Sequence, residues 1–291
     1  MVRSASGRVL RHVAAWTIVG LFAFPIYFWV TTAFKPASSI FDRPPAVWSF
    51  DVTARNFEEV FGVSLGFERQ REVLPGGGDF YMTPRLLDSL IIALGSTGLA
   101  VVIATLAAYA LSRMRFRGRH HFVATVLSTR MMPPVAVAIP MFFIFRDFGL
   151  LDTHLGVILA HTLMNLPLAV LLMKSFFDDI PAEIEESAIV DGASRWTIFR
   201  RIALPAARGG IAATAVLCFI FSWTEFLLAL TLTQTGLKTV PVVSSTFVTS
   251  TGTAWGNMAA LGAVAMVPAF IFILLVQRHL VRGLTLGSLK Q

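Results

Sequence analysis

The sequence is short of charge and of cysteine, and each shortage narrows what it encodes. Of its 291 residues only 14% are charged and 55% are hydrophobic. Soluble domains carry about a quarter charged residues, so this composition belongs to a chain that lives in lipid. The single cysteine, Cys218, lies inside an apolar run, which excludes an internal disulfide and any cysteine-based zinc site. No G-x-x-x-x-G-K-[ST] occurs, so the chain has no P-loop to cradle ATP phosphates. H-E-x-x-H and G-x-S-x-G are also absent, which leaves a membrane hydrolase without its nucleophile–base set. A formal charge of +7 and a pI ≈ 10.3 invite nucleic acid as a partner. The basic residues, however, cluster at the ends of apolar runs rather than along one stripe, as membrane orientation requires.

What the chain does have is apolar length. Six runs near spanning length occupy about Val13–Phe34, Leu86–Leu111, Phe122–Phe145, Leu155–Met173, Ile211–Thr233 and Met258–Val276. The first is longer than a signal-peptide core and no A-x-A site follows it, so it reads as a retained span kinked at Pro25. Pro133, Pro134, Pro140, Pro167 and Pro268 predict bent or broken helices, tolerated where neighbours or water satisfy the freed backbone. Ser89, Gly95, Ser96 and Gly98 permit close helix packing in lipid. The polar segment from Lys35 to Pro84 carries turn signals at Pro44-Pro45 and Pro75-Gly76-Gly77-Gly78. Within it, Asn56 and Glu59 have capping-box spacing for a short helix over Phe57–Phe61.

Basic residues orient the spans. Arg3, Arg8 and Arg11 precede the first run, Arg113, Arg115, Arg117 and Arg119 follow the second, and Lys174, Arg195, Arg200, Arg201 and Arg208 populate the central loop. Arg278, Arg282 and Lys290 end the chain, while the short connections on the opposite side offer only Arg146 and Lys238. The positive-inside rule then places both termini and the central loop in the cytoplasm. The domain plan is a first span with an extracytoplasmic loop (1–85), a membrane core (86–279) and a cytoplasmic tail (280–291).

The central loop, 176–209, is the one long polar interruption in the second half of the chain. Pro181 suits a first helical turn, and Glu183, Glu185 and Glu186 suit the positive end of that helix dipole. Gly192 supplies a left-handed stop, Ser194 is a plausible N-cap for a second helix, and that helix ends near Leu204-Pro205. Ile184 and Ala188 fall at i and i+4 and make a narrow apolar stripe suited to a shallow groove on a partner. Physics alone leaves two readings open: a docking element, or an amphipathic loop covering the protein's own membrane ends.

The residues Glu185-Glu186-Ser187-Ala188, Asp191-Gly192-Ala193 and Ile202-Ala203-Leu204-Pro205 resemble the EAA loop of ABC importer permeases. That pattern is E-A-A, three residues, G, nine residues, I-x-L-P. Its spacing is complete here, with Ser187 where the family usually has Ala. Further segments are similar to the carbohydrate-importer branch, and to its maltose-type smaller subunit. They include Asn56-Phe57, Asp88-Ser89-Leu90, Ala107-Ala108-Tyr109-Ala110-Leu111-Ser112-Arg113, Pro133-Pro134, Ser222-Trp223-Thr224-Glu225-Phe226 and Val281-Arg282-Gly283-Leu284-Thr285. Asp88 and Thr224 stand where Asn is expected, and Arg130 stands where an uncharged residue is usual. The resemblance implies an all-α type I importer permease of six transmembrane helices with a helical coupling loop. It is a non-enzymatic subunit in a bacterial inner membrane, carrying a sugar or sugar-like solute. It also implies a second, homologous permease, two ATP-binding subunits that hold ATP and Mg, an extracytoplasmic binding protein, and no cofactor or metal on this chain. Ile184, Glu185, Glu186, Ser187, Ala188, Asp191, Gly192, Ile202, Leu204 and Pro205 are then the ATPase-coupling residues.

Arg130 and Glu225 are the ionisable residues well inside apolar runs, and each needs a partner or water. They are read either as a structural ion pair or as part of a solute pathway with Trp223, Thr224 and Phe226, whose aromatic rings suit stacking on a sugar face. Met131 and Met132 read as packing residues. His154 and His161, seven apart on one helix face, read either as a relay or as unconnected hydrogen-bonding histidines, with no carboxylate expected beside them. The competing class is a single-chain, ion-coupled secondary transporter, which calls for an internal repeat with paired broken helices.

Overall fold

The computed structural model describes residues 5–48, 50–62, 82–234, 236–250 and 252–287, with side chains described within 11–277. The loop Ser64–Tyr81 with its Pro75-Gly76-Gly77-Gly78 lies outside the described residues, as do Arg3 and Lys290. The chain divides into two compact units, Met1–Pro84 with Val243–Met266, and Arg85–Val242 with Val267–Gln291.

In the first unit, α1 (Ala5–Thr32) continues through Pro25 and leaves Trp16, Leu21 and Phe22 exposed. Exposed aromatic and aliphatic side chains on an uncharged helix are the face lipid or another helix covers. After α1 the chain turns at Lys35, whose ammonium lies 4.8 Å from the Phe28 ring centre and 5.0 Å from that of Phe50. Burial pushes this ammonium below the ordinary lysine value, and Asp42 acts in the opposite direction. Helix α2 (Arg55–Phe61) forms as expected, but Ala54 caps it and no side chain does. The capping box foreseen at Asn56 and Glu59 is not made. Asn56 is buried and donates to the Ala33 and Lys35 carbonyls at 2.8 and 2.9 Å, while Glu59 accepts from Arg55 and Asn257. Two buried carbonyls at the end of α1 compete for the Asn side chain and win, because leaving them unpaired costs more than an unfilled cap at the surface.

The second unit follows from the apolar runs. Its helices are α3 (Met82–Arg113), α4 (Arg119–Arg130), α5 (Pro134–Asp147), α6 (His154–Asp178), α7 (Ala182–Val190) and α8 (Arg195–Ile198). A π-helical turn over Phe199–Ala203 leads into the short α9 (Leu204–Ala206), then α10 (Arg208–Trp223) and α11 (Leu227–Leu232). Helix α12 (Val240–Thr246), a hairpin of β1 (Val248–Thr249) and β2 (Gly252–Thr253), and α13 (Trp255–Gly287) complete the chain. Four helices are long and apolar enough to cross a membrane, and the count reaches six if each of two bent pairs is one span. Pro133-Pro134 breaks the third expected span, bending α4 against α5 by 97°. Pro140, Pro167 and Pro268 lie inside helices that continue past them. The fifth expected span, Ile211–Thr233, is interrupted at Thr224–Phe226 instead of running through.

Helix α6 is the hub of this unit, packing on α4, α10 and α11. One buried cluster joins Ala100, Ala104, Ala108, Val170, Met173, Phe177, Phe199 and Cys218, and a second joins Ile92, Met141, Phe145, Val157, Ala160, Leu228 and Leu232. Small residues set the spacing. A Cβ on Gly210 would fall 2.3 Å from Cγ of Phe176, so only glycine lets α10 approach α6 at this point.

Candidate functional site

The central loop folds as its sequence directs. Gly192 adopts φ +81 and donates its N–H to the Ile189 carbonyl, ending α7. The Ser194 hydroxyl accepts from the Thr197 N–H at 3.2 Å and caps α8. Pro181 is the cap residue of α7 rather than its first helical residue.

The loop has two faces of opposite chemistry. Outward, Ile184 (50% exposed), Ile189, Val190 (87%) and Trp196 (63%) present an apolar ridge, with Ala188 half-buried beside it. Glu186, Ser187, Asp191 and Pro205 are exposed as well, and Ile202 and Leu204 are half-buried. Inward, Glu185 is the one buried residue of α7. Its Oε1 accepts from Arg113 Nε at 2.7 Å and its Oε2 from the Tyr109 hydroxyl at 2.9 Å. Arg113 also donates through Nη2 to the Ile180 carbonyl at 2.8 Å. Ser112 donates to Asp178 at 2.6 Å, and Lys174 pairs with the same carboxylate. Sequence reasoning placed Glu185 among the docking residues and did not find its partners. The signal was available, since Tyr109 and Arg113 sit one helical turn apart in the Ala107–Arg113 segment.

A second polar cluster lies deep among the apolar helices. His161, buried on α6, has Nδ1 2.7 Å from the Ser222 hydroxyl and Nε2 3.1 Å from Glu225 Oε2. The Ser96 hydroxyl on α3 donates to Ser222 at 2.8 Å. Glu225 further accepts the Leu228 N–H at 2.9 Å and the Ala229 N–H at 3.0 Å, so its carboxylate caps α11. This is the cause of the break in the fifth run: a carboxylate in an apolar segment is most cheaply satisfied by freeing backbone donors for it. A carboxylate therefore does stand beside His161, and Asp88 stands 2.9 Å from Nε2 of His154. The two histidines belong to separate clusters and do not form one relay. Arg130 and Glu225 do not pair either. Arg130 is exposed, donates to the Met164 carbonyl at 3.4 Å, and lies 5.3 Å from the Phe221 ring centre. Trp223 is buried and stacked on Phe219 at 5.6 Å, which removes it as a sugar platform. Thr224 and Phe226 are exposed. Among the described residues no three His, Cys, Asp or Glu side chains gather as metal ligands.

The helical spans, the broken helices and a loop with one pinned and one free face define a membrane-transport subunit with a projecting coupling element. Residues 90–286 match the family described as "Binding-protein-dependent transport system inner membrane component", and the chain belongs to it. The trehalose transport system permease protein SugB of Mycobacterium tuberculosis is 34% identical over 94% of this chain and 94% of that protein. The diacetylchitobiose uptake system permease protein DasC of Streptomyces coelicolor is 32% identical over the whole of both. Among solved structures, a bacterial ABC transporter involved in import of the acidic polysaccharide alginate superposes with TM-score 0.70 at 21% identity, covering 96% of this chain and 99% of that one. The MetNI methionine ABC transporter superposes with TM-score 0.57 at 16% identity over 69% of this chain and 95% of its own. The fold is that of a type I ABC importer permease, and the chain is a multi-pass inner-membrane protein. Members of the family are permease subunits, not enzymes in themselves, and they work with an ATPase and a binding protein.

Proposed function

We propose that this chain forms, with a second homologous permease, the pathway of a bacterial ATP-driven importer for a sugar or sugar-like solute: an oligosaccharide, glycoside or polyol. Two ATP-binding subunits, holding ATP and Mg, engage the central loops, and an extracytoplasmic binding protein delivers the solute. Both termini and the loop 176–209 face the cytoplasm. Residues 1–85 supply the first span and outer loop, 86–279 the permease core and 280–291 the tail.

The observation that carries this reading is the exposed apolar ridge of Ile184, Ile189, Val190 and Trp196 on helices held to the core by a buried carboxylate. A rigid apolar ridge on short helices suits a shallow groove on a partner. The sugar class is supported by the relatives named for trehalose and diacetylchitobiose. Arg130, Thr224 and Phe226 are exposed and are assigned to the pathway wall, with Trp223 and Glu225 supporting it from behind. Alternation between two states of the core follows from differential binding of nucleotide-closed and nucleotide-open ATPase.

The test is Gly192→Val. No atom crowds a Cβ there, so the whole penalty is the positive φ, about 1–3 kcal/mol of backbone strain. The variant should insert normally, lose the ATPase subunits on purification, and lose uptake of its solute. Normal co-purification and uptake would reduce the loop to a cover. Orientation is checked separately in a Cys218→Ala background: an impermeant thiol reagent outside intact cells should label Gln70→Cys and spare Val190→Cys.

A further inference from the structure

Helix α7 is a lever with an unusual attachment. Every residue of it except Glu185 is exposed or half-buried. Apolar packing therefore does little to hold it, and the attachment is the Glu185 carboxylate. That group lies against α3, not against the helix that precedes it in sequence. Both of its oxygens are used, one by Arg113 and one by Tyr109. The Arg113 guanidinium spans the α6–α7 turn as well, gripping the Ile180 carbonyl at 2.8 Å on the near side while holding Glu185 on the far side. Tyr109 completes the connection by packing on Phe177 at 5.4 Å and on Phe199, in the π-helical turn, at 4.8 Å.

Apolar contacts slide under load, but charge-assisted hydrogen bonds are directional, and they strengthen where water is kept away. The side chains of Arg113 and Glu185 are 12% and 7% exposed, so this bond is shielded. We propose that Arg113 and Tyr109 are positioning residues that make α7 and the adjoining end of α3 move as one body. A displacement imposed on α7 is then handed directly to α3 instead of being absorbed in the turn at Asp179–Pro181. This rests on the reading of the loop as the ATPase contact. It adds that force enters the core through α3, a helix not adjacent to the loop in sequence.

The experiment uses the assembled importer in lipid with Cys218→Ala and two spin-label pairs at exposed positions, Leu106 with Val190 and Leu99 with Leu217. Distances are measured without nucleotide and after trapping with MgATP and vanadate. In the otherwise unaltered permease, the first distance should stay the same in both states and the second should change. In Arg113→Gln the first distance should become nucleotide-dependent, and the response of the second should fall several-fold. Arg113→Lys, which restores the charge, should recover part of that response. A full response of the second pair in Arg113→Gln would overturn the proposal, as would a nucleotide-dependent first distance in the unaltered protein. If Arg113→Gln does not assemble, Tyr109→Phe decides, because it deletes a single hydroxyl: a reduced response supports the joint and an undiminished one overturns it. Failure of the ATPase to co-purify with the unaltered permease would instead remove the loop reading itself.

Discussion

Two polar clusters tie the helices of the second unit together, and they solve the problem of a partly buried glutamate in opposite ways. Glu185 faces a guanidinium and a phenol supplied by another helix. Glu225 faces two backbone N–H groups of its own chain segment and a histidine. The first arrangement depends on side chains from a distant segment and links separately movable parts. The second is built largely from local backbone and fixes a break within one run. A carboxylate held by a cation acts as a joint, whereas a carboxylate held by backbone donors acts as a cap. The same residue type thus serves motion in one place and shape in the other.

The contrast can be broken by making the same change in both. Glu185→Gln strands the shielded Arg113 guanidinium, and losing one partner of a buried pair costs about 3–5 kcal/mol. Glu225→Gln keeps an amide oxygen for one N–H and for His161, so its cost should be nearer 1 kcal/mol. Apparent melting temperatures in detergent should rank the two in that order. Equal shifts would mean that Glu225 relies on charge as fully as Glu185 does.

Between these in effect lies a packing change that touches neither cluster. Gly210→Ala forces a methyl against Phe176, and overpacking of this kind costs about 1–3 kcal/mol. Its melting point should fall while the nucleotide response of the joint persists, which separates loss of stability from loss of coupling. The smallest expected effect is a null interaction. Arg130 and Glu225 have different partners, so Arg130→Met and Glu225→Gln should be additive in stability to within about 0.5 kcal/mol. A double variant restored toward the unaltered melting point and uptake would show that the two charges do sense each other.

Much of this was legible from sequence. Local signals worked where the partner of a group lies within one turn: Gly192 as a left-handed stop, Ser194 as a cap and Pro133-Pro134 as a break each need only their neighbours. They failed where a distant group outbids the local one. Asn56 has the spacing of a helix cap, but the carbonyls of Ala33 and Lys35 take its side chain. Glu225 sits in an apolar run that periodicity reads as unbroken, and only the burial of its charge explains why a new helix starts behind it. Trp223 is adjacent to polar residues in sequence, yet its ring is spent on Phe219. The EAA spacing identified the loop but not its polarity, because which oxygen faces inward depends on α3, over seventy residues earlier.

The π-helical turn at Phe199–Ala203 has a consequence for how this loop tolerates change in length. The Leu204 N–H reaches back to the Phe199 carbonyl, five residues away, rather than four, so the turn stores one residue more than an α-helix would need. That surplus sets the angular phase between the ridge residue Trp196 and everything from Leu204 onward. Deleting one residue here would let the turn relax into ordinary α-helix without cutting the chain short. It would also rotate the downstream segment by about 100°, the angle of a single residue on an α-helix. The loop can therefore keep its helices and lose its aim, so its length between Gly192 and Ile202 is a phase constraint rather than a matter of reach.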